Sequence, residues 1–150
     1  MTPFSTLSER LDAASVTDVP MQGATDLLTV SEAVLENWAQ SRGLEPTDDE
    51  REGFRLLALH RQGSRGEPSF NACRETCREV AYHYNLINLE PDHPDTTKRL
   101  RMMGMVANHL LLFVSGKMRV KKLGEFCCAS RSLRSETDAE LKEIQEPHHA

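Results

Sequence analysis

"SFNACRETCREVAYHYNLIN", residues 69–88, decides how this chain is built. Phe70, Cys73, Cys77, Val80, Tyr84 and Ile87 recur at alternating steps of three and four. At about 100° per residue they fall on one stripe, the mark of a helix with a single apolar face. The same stretch carries the residue types of a metal or thiol site: Cys73 and Cys77, Glu75 and Glu79, then His83. Their spacing argues against one. Zinc sites recruit cysteine pairs on turns with converging partners, and the remaining cysteines here are the adjacent Cys127 and Cys128. Helical di-iron sites use Glu-x-x-His on two helices, whereas these acids and the histidine are four apart with no second copy. The expectation is core sulfur, packed as a small hydrophobe, with Glu75 and Glu79 solvated beside Arg74 and Arg78.

Helix punctuation extends this reading along the chain. Thr6 with Glu9, Thr47 with Glu50 and Thr137 with Glu140 each match a capping box, in which hydroxyl and carboxylate satisfy free backbone N–H groups. Gly43 and Pro46 mark one boundary, Gly63, Gly66 and Pro68 a second, and "NLEPDHPD" a third. Helices are predicted at about 6–14, 27–42, 48–62, 69–88, 95–116 and 119–133, with a short one near 138–146. No alternating strand pattern competes. "TTKRLRMMGMVANHLLLFVSGK", 96–117, is apolar around most of its circumference and predicts a central buried helix at about 95–116. Arg101, Asn108 and Ser115 form its one polar stripe, and Gly104 leaves room for a close neighbour. The fold class is all-α: six to seven helices in one domain over 1–150, fraying at about 1–5 and 147–150.

The bulk properties agree. The 150 residues are 39% hydrophobic and 27% charged, within the range of a globular chain and long enough for a real core. The first thirty residues lack a basic start and an unbroken apolar run, so no secretory signal is read there. The most apolar run, 102–114, is interrupted and shorter than the roughly 20 residues that span a bilayer, so no membrane association is expected. Four cysteines without a signal do not make a disulfide framework. These features point to the cytoplasm.

Catalytic signatures are missing: there is no phosphate-binding glycine loop, no nucleophile elbow and no HExxH. Neither an enzymatic site nor a cofactor is expected. His60 and His109 sit in apolar runs as core histidines. Cys128, turned about 100° from Cys127 toward Lys121, is the candidate reactive thiol, since neighbouring lysines lower a thiol pKa.

Charge is segregated. Residues 1–52 hold 11 acids against 3 bases, 53–94 hold five of each, 95–134 hold 9 bases against 2 acids, and 135–150 hold 5 acids against 1 base. Lys117, Arg119, Lys121, Lys122, Arg131 and Arg134, joined by Lys98 and Arg99, have the footprint of a polyanion-binding surface. The competing reading lays this segment against the acidic N-terminal third. A helix-turn-helix around Gly43 is disfavoured, because its second helix would present Asp48, Asp49, Glu50 and Glu52 to phosphates.

Tyr82 and Leu86 lie opposite the Phe70–Ile87 stripe. Leu56 and Leu59 lie away from the Phe54–Leu57–Ala58 side. Either these helices are buried on two sides, or they present an apolar patch to a protein partner or a second copy. The sequence thus predicts a small cytoplasmic interaction or regulatory protein acting through helix faces. The alternative is a nucleic-acid-binding accessory protein using 98–134, and the third reading is a cysteine-centred redox sensor or enzyme.

Overall fold

A computed structural model of the chain describes the backbone of residues 1–129 and the side chains of residues 1–122. Cys128, Arg131, Arg134 and the helix expected near 138–146 lie outside the described side chains. The described residues hold five α-helices and no strand: α1 (Phe4–Ser15), α2 (Pro20–Ser41), α3 (Arg55–Ser64), α4 (Arg74–Leu89) and α5 (Thr96–Ala129). A 3-10 turn, Pro68–Cys73, leads directly into α4. The chain divides into two compact units, Met1–Leu111 and Leu112 onward, with α5 running from one into the other.

The first unit is built on α2, which meets α1, α3 and α4. The stripe read from residues 69–88 is its inner seam. Phe70, Cys73, Cys77, Val80 and Ile87 are buried, and Tyr84 is half-buried with its ring edge-on to Phe54, centroids 5.8 Å apart. Burial of such a stripe drives helix packing, at about 25 cal/mol for each Å² of apolar surface removed from water.

Two local expectations give way to tertiary structure. The helix predicted from 48 starts only at Arg55. The Thr47 hydroxyl accepts the Asp49 N–H at 3.1 Å instead of capping a helix, and the Thr47 carbonyl accepts from Arg55 Nε at 2.8 Å. Glu52 and Gly53 then take left-handed conformations (φ 54° and 85°), and Arg51 and Phe54 exchange backbone hydrogen bonds across the turn. The capping box at Thr6 is likewise unused, because α1 already begins at Phe4. At the amino end Asn37 Nδ2 donates to the Thr2 carbonyl at 2.7 Å.

α2 begins at Pro20, seven residues earlier than its apolar periodicity shows, with proline at the first helical position, where no N–H is needed. Gly23 makes that early start possible. A Cβ there would lie 2.7 Å from both the Ala14 carbonyl and Thr17 Cγ2.

The helices expected at 95–116 and 119–133 are one. Glycine in a helix interior costs only about 1 kcal/mol, and no proline or capping residue follows Gly116 to enforce a stop. Nor is α5 buried all round. Leu100, Met103, Ala107 and Leu110 face inward, but Met102 and Met105 are exposed at 45% and 64%. Gly104 does admit a close neighbour, since an added Cβ would collide with the Ser15 side chain, its Cβ 2.8 Å away.

Candidate anion-binding face

The α3–α4 side of the first unit carries three adjoining hollows. The central one, about 200 Å³, is lined by Arg51, Arg61, Arg74 and Arg78 together with Glu52 and His60. A second hollow shares Arg51 and Arg61 and adds Arg65 and Gln62. A third shares Glu52 and Arg78 and runs to Phe54, Tyr82 and Asn85. Together they form a shallow groove with an arginine-rich middle and an aromatic end.

Local structure explains the convergence. Arg61 and Arg65 are four apart at the end of α3, and Arg74 and Arg78 are four apart at the start of α4. Side chains at that spacing share a helix face. The turn at 51–54 brings Arg51 and Glu52 to the same place. Arg78 is held there by a two-pronged pair with Glu52, both bonds 3.1 Å. Arg51, Arg61, Arg65 and Arg74 form no ion pair among the described residues. Asp49 and Glu50 border the second hollow, so the excess of positive charge is concentrated in the central one.

An aromatic stack supports this face from behind. Trp38 of α2 lies flat against Phe70, and the His60 ring stacks on Phe70 as well, centroids 5.5 Å apart. Trp38 Nε1 and Arg42 donate to the Gly63 carbonyl at 2.9 and 2.7 Å, pinning the last turn of α3. His60 Nε2 donates to the Phe70 carbonyl at 3.1 Å, so this buried histidine is hydrogen-bonded as expected of a core histidine.

The residues singled out from sequence are dispersed. Tyr82 is 60% exposed and lines the third hollow, and Leu86 is half-buried. Leu56 and Leu59 are 0% and 1% exposed; α3 packs on α2, α4 and the 3-10 turn, so these leucines serve the core rather than a partner face. In the basic segment, Lys98 is exposed, while Arg99 is half-buried and pairs with Glu90 at 3.0 Å. Within the second unit Arg119 is buried, Lys117 and Lys121 are half-buried, and Lys122 is exposed. His109 is exposed rather than in the core. His83 Nδ1 is buried without a hydrogen-bond partner among the described residues, and burial lowers the His83 pKa against the opposing pull of Glu79.

The groove arginines were masked in the sequence because residues 53–94, which hold Arg61, Arg65, Arg74 and Arg78, sum to zero charge and Arg51 falls in the acidic 1–52. The signal available was the pair of i, i+4 arginines on either side of the Gly66–Pro68 break.

Among the described residues no group of three His, Cys, Asp or Glu side chains is placed to hold a metal, and no helix is long and apolar enough to cross a membrane. No protein-family model, curated protein or solved structure matches the chain.

Proposed function

We propose that this chain is an interaction protein whose α3–α4 groove takes an extended acidic segment of a partner protein. The observation that carries the reading is the convergence of Arg51, Arg61 and Arg74 on one cavity with no carboxylate paired to them among the described residues. Guanidinium groups are planar forks that bind carboxylates bidentately, and they are less strongly hydrated than ammonium groups. Three hollows in a row suit an extended peptide better than a compact ligand. Tyr82, exposed at one end, offers an aromatic anchor of the kind that concentrates binding energy in interfaces.

The test is fluorescence anisotropy with a labelled glutamate-rich peptide carrying one leucine, and with labelled single-stranded and duplex oligonucleotides, each across a salt series. The peptide is expected to bind, more weakly as salt rises. R61E combined with R74E is expected to reduce affinity at least tenfold, and Y82A to reduce it severalfold, with the helical circular dichroism unchanged. K121E combined with K122E leaves peptide binding unaltered. Oligonucleotide binding that is lost in K121E/K122E and retained in R61E/R74E would establish the nucleic-acid reading of 98–134 instead. Absence of peptide binding at low salt overturns the groove assignment.

A further inference from the structure

The central hollow carries more positive charge than a single carboxylate can balance. Four arginines line it against one acid, Glu52, and both Glu52 oxygens are committed to Arg78. Arg51, Arg61 and Arg74 remain, all exposed to solvent and each from a different element: the 51–54 turn, the end of α3 and the start of α4. Asn71 adds a neutral amide donor to the same wall.

The frame of this site is fixed from within the fold. Glu52 is the one non-glycine residue with a left-handed backbone among the described residues, φ 54°. Its grip on Arg78 ties the turn that carries Arg51 to α4. The Gly63 carbonyl, held by Trp38 and Arg42, fixes the last turn of α3, which carries Arg61. An unfavourable backbone conformation held in place by its surroundings is a recurring feature of ligand clamps, and a preset frame lowers the ordering cost of binding.

The site distinguishes among anions. A carboxylate brings one negative charge and two oxygens in one plane. A phosphomonoester brings a charge of about −1.5 to −2 at neutral pH and three terminal oxygens pointing in different directions. Guanidinium groups supplied by three separate elements match the second better than the first. At about 200 Å³, the hollow is smaller than the roughly 300–1,000 Å³ of sites that enclose a whole small ligand, so it suits the head of one side chain rather than a nucleotide. Leu57 is the one aliphatic side chain on its wall, which leaves no apolar slot for the ring of a phosphotyrosine.

On the basis of the groove reading above, we propose that the central hollow receives a phosphoserine or phosphothreonine side chain of the partner segment. The phosphate lies among Arg51, Arg61 and Arg74, and an apolar residue of the same segment rests against Tyr82 in the third hollow. Phosphorylation of the partner then switches its affinity for this chain.

The test is fluorescence anisotropy of the full chain with labelled peptides of one glutamate-rich, leucine-containing sequence. They differ at a single central position, which is serine, glutamate, phosphoserine or phosphotyrosine. The phosphoserine peptide is expected to bind about tenfold more tightly than the glutamate peptide, because a third terminal oxygen accepts at least one further charge-assisted hydrogen bond. That advantage is expected to narrow from about pH 7.5 to about pH 5.5, as the phosphate takes up its second proton near a pKa of about 6. R61K combined with R74K keeps the charge but not the fork, and is expected to remove most of the advantage while the glutamate peptide still binds. Equal affinity for phosphoserine and glutamate overturns the phosphate assignment and leaves the acidic-segment reading standing, whereas no binding by any peptide at low salt overturns both. Tighter binding of phosphotyrosine than of phosphoserine overturns the proposal, as does an advantage that stays constant with pH. The wild-type comparison among peptides decides the matter even if a variant fails to fold.

Discussion

Trp38 and Phe70 lie face to face, ring centroids 4.8 Å apart and planes inclined by 7°. Nothing local brings them together, since one belongs to α2 and the other to the 3-10 turn. The Trp38 N–H reaches the Gly63 carbonyl, so a single side chain ties α2 to the end of α3 and to the entry of α4. Replacing Phe70 by Ala is expected to cost about 3–5 kcal/mol, the range for a large aromatic removed from a core. Trp38→Phe is expected to cost about 1–2 kcal/mol, because the lost hydrogen bond leaves Gly63 with Arg42 as donor. Urea denaturation followed by circular dichroism checks both. Equal costs would mean that the indole N–H, not the stack, holds the junction.

Gly63 is where Trp38 comes closest to α3. A Cβ there would meet Trp38 Cδ1 at 2.7 Å and Phe70 Cε2 at 3.0 Å. Both are atoms of rings already locked in the stack. Gly63→Ala is therefore expected to destabilise by about 1–3 kcal/mol despite its favourable helix propensity. At Gly104 the obstacle is Ser15, whose Cβ as well as Oγ lies too close. Gly104→Ala is expected to destabilise similarly, with rescue by Ser15→Gly and little rescue by Ser15→Ala. Thermal melts of the single and double variants distinguish these outcomes.

Arg55 joins α3 to α2 and to the preceding loop. Its guanidinium contacts Glu36, Glu32 at 3.6 Å and Asp48 at 3.5 Å. Burial holds the Glu32 pKa above its usual value, against the lowering effect of Arg55. Arg55→Met removes that compensation and is expected to cost about 2 kcal/mol at neutral pH, below the value for a fully buried pair because these groups are partly solvated. A carboxyl with a raised folded-state pKa binds its proton more readily folded than unfolded. The deficit should therefore shrink as pH falls toward 4.5, the ordinary glutamate value. A deficit that stays constant with pH would place the loss in packing of the arginine stem.

Cys73 carries its own pH signature, because the neighbouring Cys77 side chain lowers its pKa to about 6 against the effect of burial. Between about 6 and the ordinary thiol value of 9.0, the folded chain has released a proton that the unfolded chain still holds. Stability contributed by this group is thus absent below pH 6 and grows as pH rises through that window. Above 9 the gain stops, because Cys73 then ionises in the unfolded chain as well, and the raised Cys77 pKa makes stability fall instead. The stability difference between wild type and C73S, measured under reducing conditions, is expected to widen from pH 6 to 8.5. A flat difference would show that Cys73 remains a thiol.

Much of the first unit was legible from residue spacing alone. The Phe70–Ile87 stripe, the all-α class and the boundary at Gly43–Pro46 follow from periods and stop signals, which are properties of a single helix and its ends. The burial of Cys73 and Cys77 followed from their place on that stripe. Boundaries that depended on a competing partner did not follow. Thr47 had a capping glutamate three residues on, yet its backbone bonds to Gln62 and Arg55, fifteen and eight residues away, and the helix waits until residue 55.

The candidate groove lies at the far end of that scale. The arginines that line it come from a turn, the end of α3 and the start of α4; along the chain the five bases of 53–94 are cancelled by five acids, and Arg51 falls in the acidic 1–52. Only packing separates them, by drawing Glu52 onto Arg78 and leaving Arg51, Arg61 and Arg74 together on the cavity wall. The proximity of His60 to Cys73, thirteen positions apart, is likewise a product of α3 meeting the 3-10 turn. Helical identity is decided within a few turns of chain, so composition and period determine it. Which charges and thiols face one another depends on contacts between helices, which local periodicity does not encode.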